Sequence, residues 1–111
     1  MNWKTKTLMI AAVLALSTWC ANAADVKENW TKNCLSCHGK DGKGETKAGK
    51  KAGSKDMTDA KYQAALSDEK AFKQIKEGMK EDGKERMKAF ADKLTDAEIK
   101  DLVAYVRAFK K

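Results

Sequence analysis

Beyond residue 24, apolar positions in this chain fall three and four residues apart, the repeat of a helix with one buried face. Val26, Trp30 and Cys34 share a face of a first helix, which the pattern runs from Asp25, its expected N-cap, to about Cys34. Tyr62 and Leu66 lie together on a short helix from Asp59 to about Leu66, with Thr58 as cap. Ser67 caps another from Asp68 to Glu77, with Phe72 and Ile75 inward and Gly78 at the terminating position. Thr95-Asp96-Ala97-Glu98 is a capping box. It opens the best-patterned helix, Asp96 to about Lys110, whose stripe is Ile99, Leu102, Val103, Val106 and Phe109. Two segments have no apolar period and read as loops: glycine- and lysine-rich Gly39 to Ser54, and charged Met79 to Phe90. No stretch alternates as a half-buried strand does. The expected fold is all-α, about four helices in one small domain.

The first 23 residues follow another pattern. Lys4 and Lys6 form a positive start, Leu8 to Leu16 an apolar core, and Ala21-Asn22-Ala23 a small-x-small cleavage site. This is the layout of a secretory signal peptide removed near Ala23, which places residues 24–111 in the periplasm. The apolar run is short for a bilayer span, so retention as an uncleaved anchor is the weaker alternative and no stable membrane insertion is expected. Cys20 leaves with the leader, and Trp19 before it argues against a lipoprotein site. Taking 23 residues from 111 leaves 88, little for a self-sufficient core without a second disulfide. A bound group is expected to supply core volume.

Charge narrows the partners. The formal +7 falls to about +5 once Lys4 and Lys6 are gone. Lysines are spread along the chain rather than gathered in arginine-rich or aromatic-interleaved blocks, which argues against nucleic acid. A dispersed basic surface suits acidic faces of protein partners, although any single lysine is most simply solvated.

The chemistry concentrates in Cys34-Leu35-Ser36-Cys37-His38. C-x-x-C-H is the attachment pattern of a c-type haem. Each thiol can add across a porphyrin vinyl group, and the histidine after the second cysteine supplies the proximal nitrogen to iron. A thioredoxin-like dithiol needs a preceding strand, and none is patterned here. Structural zinc needs four ligands, and after the leader only Cys34, Cys37 and His38 remain as cysteine or histidine. His38 is the single histidine of the chain, so no nucleophile–base pair is left for an enzyme. Gly44-x4-Gly49-Lys50 approaches a phosphate loop, but Lys51 stands where Ser or Thr must be. Asn29-Trp30-Thr31 matches a glycosylation sequon by chance. The glycine-rich loop is expected to cover one haem edge, with the Lys47–Gly49 backbone accepting the second ring N–H of His38.

The sixth ligand decides what such a haem does. With one histidine, bis-histidine ligation is excluded and thioether sulfur is next. Met57 precedes a cap residue, where apolar side chains staple a helix entry. Met79 follows Gly78 and suits either packing or ligation. Met87 sits in an irregular loop, which can bring sulfur to iron without opposing a helix register, and is favoured over the other two.

Residues 24–111 resemble a small bacterial class I cytochrome c over nearly their whole length. The match rests on Cys34-Leu35-Ser36-Cys37-His38, on Met87-Lys88-Ala89-Phe90, and on Leu94 to Phe109 with its Leu102-Val103-Ala104-Tyr105-Val106-Arg107. The resemblance implies one covalent haem c and its iron, Cys34 and Cys37 as thioethers, His38 as proximal ligand and Met87 as distal ligand. It also implies crossed first and last helices with Trp30 and Tyr105 in contact. The chain departs from the family pattern in having no proline: Lys88 follows the methionine, and the loop under the histidine lacks its proline too. Both changes remove backbone stiffness near the iron.

The expected function is a soluble, monomeric periplasmic electron carrier working between redox proteins, those with acidic docking faces above all. Leu35, Phe72, Ile75, Phe90, Leu94 and Val103 would wall the haem. A protein that binds a diatomic gas at an iron with a labile or absent methionine is the competing reading.

Overall fold

The computed structural model describes residues 23–111. The leader, apart from Ala23, lies outside them. Six helices and one hairpin follow in order: α1 (Ala23–Asn33), α2 (Leu35–His38), α3 (Lys47–Ala52), α4 (Ala60–Ala65), α5 (Asp68–Glu77), β1 (Met79–Glu81), β2 (Lys84–Met87) and α6 (Asp96–Arg107). The class is all-α, as expected. α1 and α6 cross, α5 packs on α6, and α2 lies between α1 and α3.

The crossing of α1 and α6 is aromatic. Trp30 is buried, with its ring centroid 5.2 Å from that of Tyr105 and 5.1 Å from that of Phe109. Tyr105 and Phe109 meet edge to face at 5.4 Å. Such pairs add about 0.5–1.5 kcal/mol each beyond the area they bury. Phe109 lies past the end of α6, which stops at Arg107 rather than near Lys110. Behind the aromatics Ile99 and Leu102 are fully enclosed, each stabilising the fold by about 1.5–3 kcal/mol.

Two polar links fix the helices that the apolar core leaves free to slide. Gln63 on α4 is only 4% exposed, and its amide nitrogen donates to the carbonyls of Met57 (2.7 Å) and Val106 (2.9 Å). Its side-chain oxygen accepts from Arg107 Nη1 at 2.8 Å. Arg107 also donates to the carbonyls of Gln63 and Leu66 and to Asp68. One glutamine and one arginine thus join α4, the start of α5 and the end of α6. At the other end Asn29 Nδ2 donates to Glu98 Oε2 at 2.9 Å, which engages the amide of the apparent sequon in α1–α6 packing.

Helix ends show where local chemistry wins. Ser67 and Thr95 cap as expected, the second with a complete capping box. Thr58 does not cap α4. Its hydroxyl donates to Asp56 at 2.6 Å, and Asp59 caps instead by accepting from the Lys61 N–H. A carboxylate is the stronger acceptor, and Asp56 has already captured the threonine. Asp25 likewise lies inside the first turn of α1 rather than at its cap, where its charge still meets the positive helix end.

The Thr95 N–H and then the Asn29 amide hold the Glu98 carboxyl below its ordinary 4.5. A depressed carboxylate stabilises the fold fully above its unfolded value, and that contribution is lost as pH falls through the folded one. Glu98→Ala therefore lowers Tm at neutral pH, and its gap from wild type closes as pH is taken down through the carboxylate range in thermal melts. A gap of constant size down to low pH would show that the charge has no part in it.

Candidate functional site

The chain passes from α1 into α2 through Cys34, whose N–H still donates to Trp30 O at 2.8 Å. The N–H of Cys37 (3.3 Å) and that of His38 (2.9 Å) then both return to Cys34 O, closing one helical turn. Positions i, i+3 and i+4 share a helix face, so two residues between the cysteines and none before the histidine put all three donors on one side. Gly39, at φ +79°, ends the turn by donating to Leu35 O. Both thiols are free. Burial, and then the neighbouring Cys37, push the Cys34 thiol up to about 12, so it stays protonated.

α3 lies within the segment expected to be loop. Thr46 caps it, and its hydroxyl also reaches back to the carbonyls of Ser36 (2.6 Å) and Cys37 (3.1 Å). Gly49 seats against the same turn: a Cβ there would overlap Cys37 O and lie 2.7 Å from Gly44 O. The glycine-rich segment therefore buttresses the C-x-x-C-H turn through the carbonyl of Cys37, not through the histidine ring. His38 Nδ1 is buried and meets no partner among the described residues, so the Lys47–Gly49 backbone does not accept from it. Burial also lowers the His38 pKa, favouring the neutral imidazole that binds metal.

A cavity of about 560 Å³ opens in front of this turn. Cys34, Cys37 and His38 line it, together with Trp30, Met57, Met79 and Met87. Its apolar walls are Leu66, Ala71, Ile75, Phe90, Leu102 and Val106. Of the walls expected from sequence, Ile75 and Phe90 stand here. Leu94 and Val103 are buried in the core without lining the cavity, and Leu35 and Phe72 are only partly buried. Leu102 and Val106 serve instead, one helical turn apart on the same face of α6. Among the described residues no group of three or more His, Cys, Asp or Glu is placed to hold a metal ion.

The segment that carries Met79 and Met87 departs most from expectation. Met79 to Met87 is a hairpin rather than a loop, turned by Asp82 (φ +52°) and Gly83 (φ +74°), the left-handed pair that a two-residue turn requires. Its strands run antiparallel, pairing Glu81 with Lys84, Lys80 with Glu85 and Met79 with Met87. Arg86 is thus an extra residue, a bulge, and Met87 rather than Arg86 stands opposite Met79. After the hairpin the chain is pinned to the end of α5, where Phe90 N–H donates to Ile75 O (3.0 Å) and Ala91 N–H to Lys76 O (3.2 Å). Gly78, at φ +76°, allows the close pass: a Cβ there would lie 2.6 Å from Met87 O and 2.9 Å from Ala89 N. Asp82-Gly83 was the one sequence signal of this hairpin.

Two thiols, a neutral imidazole and three thioethers thus face one apolar cavity. The family described as cytochrome c oxidase, cbb3-type, subunit III matches residues 21–106. The chain belongs to this family. Among solved structures it is similar to the KustC0563 c-type cytochrome, with 42% identity, a TM-score of 0.69, and coverage of 76% of this chain and 95% of that one. A single-substitution mutant of Kustc0563 aligns likewise, with 41% identity, a TM-score of 0.68, and coverage of 78% and 99%. No curated protein matches the sequence.

The protein is thus a small class I cytochrome c, its cofactor is covalently bound haem c with iron, and its role is that of a haem electron carrier. The site fits that group on its own chemistry: free thiols, an imidazole kept neutral by burial, soft sulfur donors, and largely apolar walls.

Gly49→Ala tests the buttress. Its Cβ meets rigid backbone carbonyls rather than a movable side chain, so the cytochrome is expected to lose about 3 kcal/mol in denaturant unfolding. A loss within about 0.5 kcal/mol, the range of an ordinary surface substitution, would mean that α3 shifts freely.

Proposed function

We propose that this cytochrome is a soluble, monomeric periplasmic monohaem carrier that shuttles single electrons between redox proteins and catalyses no reaction of its own. The observation that carries the proposal is that Cys34, Cys37, His38 and Met87 line one apolar cavity. In this reading Cys34 and Cys37 would hold the haem as thioethers, and His38 and Met87 would serve as the iron's protein ligands. Haem c supplies a one-electron iron couple when bound. The chain's part would be to keep those ligands in place and to wall the group in, so that charge changes without a change of ligands.

Met87 is preferred because its backbone is fixed on both sides, by the ladder before it and the α5 contacts after it. Met57 fits a packing role: it is 6% exposed, its N–H donates to Gly42 O, and its carbonyl accepts from Gln63. At the cavity rim Lys55, Lys70, Arg86 and Lys88 outnumber Glu81 and Glu85. A basic rim supports brief encounters with acidic faces of partner proteins. The leader pattern supports export, and among the described residues no helix is long and apolar enough to cross a membrane.

Optical spectra of the haem-loaded protein, oxidised and reduced, with and without carbon monoxide, test the proposal. A low-spin spectrum with a weak far-red sulfur–iron band, unchanged by carbon monoxide, is expected. A high-spin spectrum, or rapid carbon monoxide binding, would replace the carrier with the gas-binding reading.

A further inference from the structure

Met87 is not the only sulfur that the hairpin presents to the cavity. Met79 and Met87 are partners across the ladder, and side chains of directly opposed residues stand on one face with Cβ atoms roughly 4.5–5.5 Å apart. Both line the cavity. The pairing exists because of the bulge: an unbroken register would set Arg86, with its guanidinium, opposite Met79. Met79 is also loosely held. At 37% it is the exposed large hydrophobic residue of the described chain, whereas Met57 is packed away. Methionine has three rotatable bonds and a polarisable sulfur, so a loosely packed one reorients at little cost.

We infer that Met79 is a second thioether ligand for the coordination position assigned to Met87, exchanging with it across the base of the hairpin. The inference rests on the haem-carrier reading above. Ligand exchange of this kind breaks one sulfur–iron bond and forms another without electron or proton transfer. Its effect is to keep the position closed to outside ligands when Met87 swings away. The facing strand thereby refills a position that the Met87 side chain would otherwise leave open.

The test uses the haem-loaded protein with leucine substitutions, which keep the apolar volume of methionine and so preserve the fold. Met87→Leu is expected to stay low-spin with a shifted far-red sulfur–iron band and to bind carbon monoxide slowly. Met79→Leu is expected to keep the wild-type band but to bind carbon monoxide faster than wild type. The double variant is expected to lose the band and bind carbon monoxide fastest of all. A Met87→Leu protein as bandless and as open to carbon monoxide as the double variant would overturn the exchange and leave Met87 as sole ligand. Wild-type protein without the band would instead overturn the axial assignment on which the exchange depends.

Discussion

A cavity at the centre of so short a chain is the constraint on which the rest of the structure depends. Left empty, about 560 Å³ lined largely by apolar side chains would leave those walls without packing partners on one side. The helices are accordingly arranged as walls around a group rather than as a core in themselves. Covalent attachment makes that group part of the chain, and a carrier with so little core of its own gains both fold and cofactor retention from it. The polar links through Gln63, Arg107 and Glu98 then have a clear place. They join α4 to the end of α6, and α1 to its start, around the cavity.

Much of this was legible in the chain because the signals are local. The C-x-x-C-H spacing is the spacing of one helical turn. The Thr95–Glu98 box, the Ser67 cap and the Gly78 stop each depend on residues a few positions apart. The Trp30–Tyr105 contact needed the family resemblance, since no periodicity says which two aromatics will meet. Leu102 and Val106, rather than Val103, face the cavity because α6 packs on both α1 and α5, and those neighbours select one side of a wide apolar stripe. A helical wheel contains no such neighbours.

The missed elements are those whose reason lies elsewhere in space. α3 is Lys-Ala-Gly-Lys-Lys-Ala, polar and interrupted by glycine, and nothing in its own composition favours a helix. It forms because Thr46 caps it while bonded to the site turn, and because a glycine in mid-helix is what allows it to approach Cys37 O. The hairpin strands are mostly exposed and highly charged, so neither has an apolar alternation to read. Gln63 gave no sign that it would be buried, since its three partners come from Met57, Val106 and Arg107.

The absence of proline next to Met87 takes on a different meaning in this light. A proline stiffens a segment by fixing φ and gives up a hydrogen-bond donor in doing so. Here hydrogen bonds on either side of Lys88 hold the segment instead: the ladder from Glu81–Lys84 to Met79–Met87 holds one end, and the bonds from Phe90 and Ala91 to α5 hold the other. Gly78 makes this possible by leaving room for the Met87–Ala89 backbone. The stiffness is therefore distributed over two strands instead of residing in one ring. Distributed stiffness has a consequence that a ring lacks: whatever positions the Met87 backbone also positions that of Met79 beside it, so the two methionines that line the cavity there are placed by the hairpin as a unit.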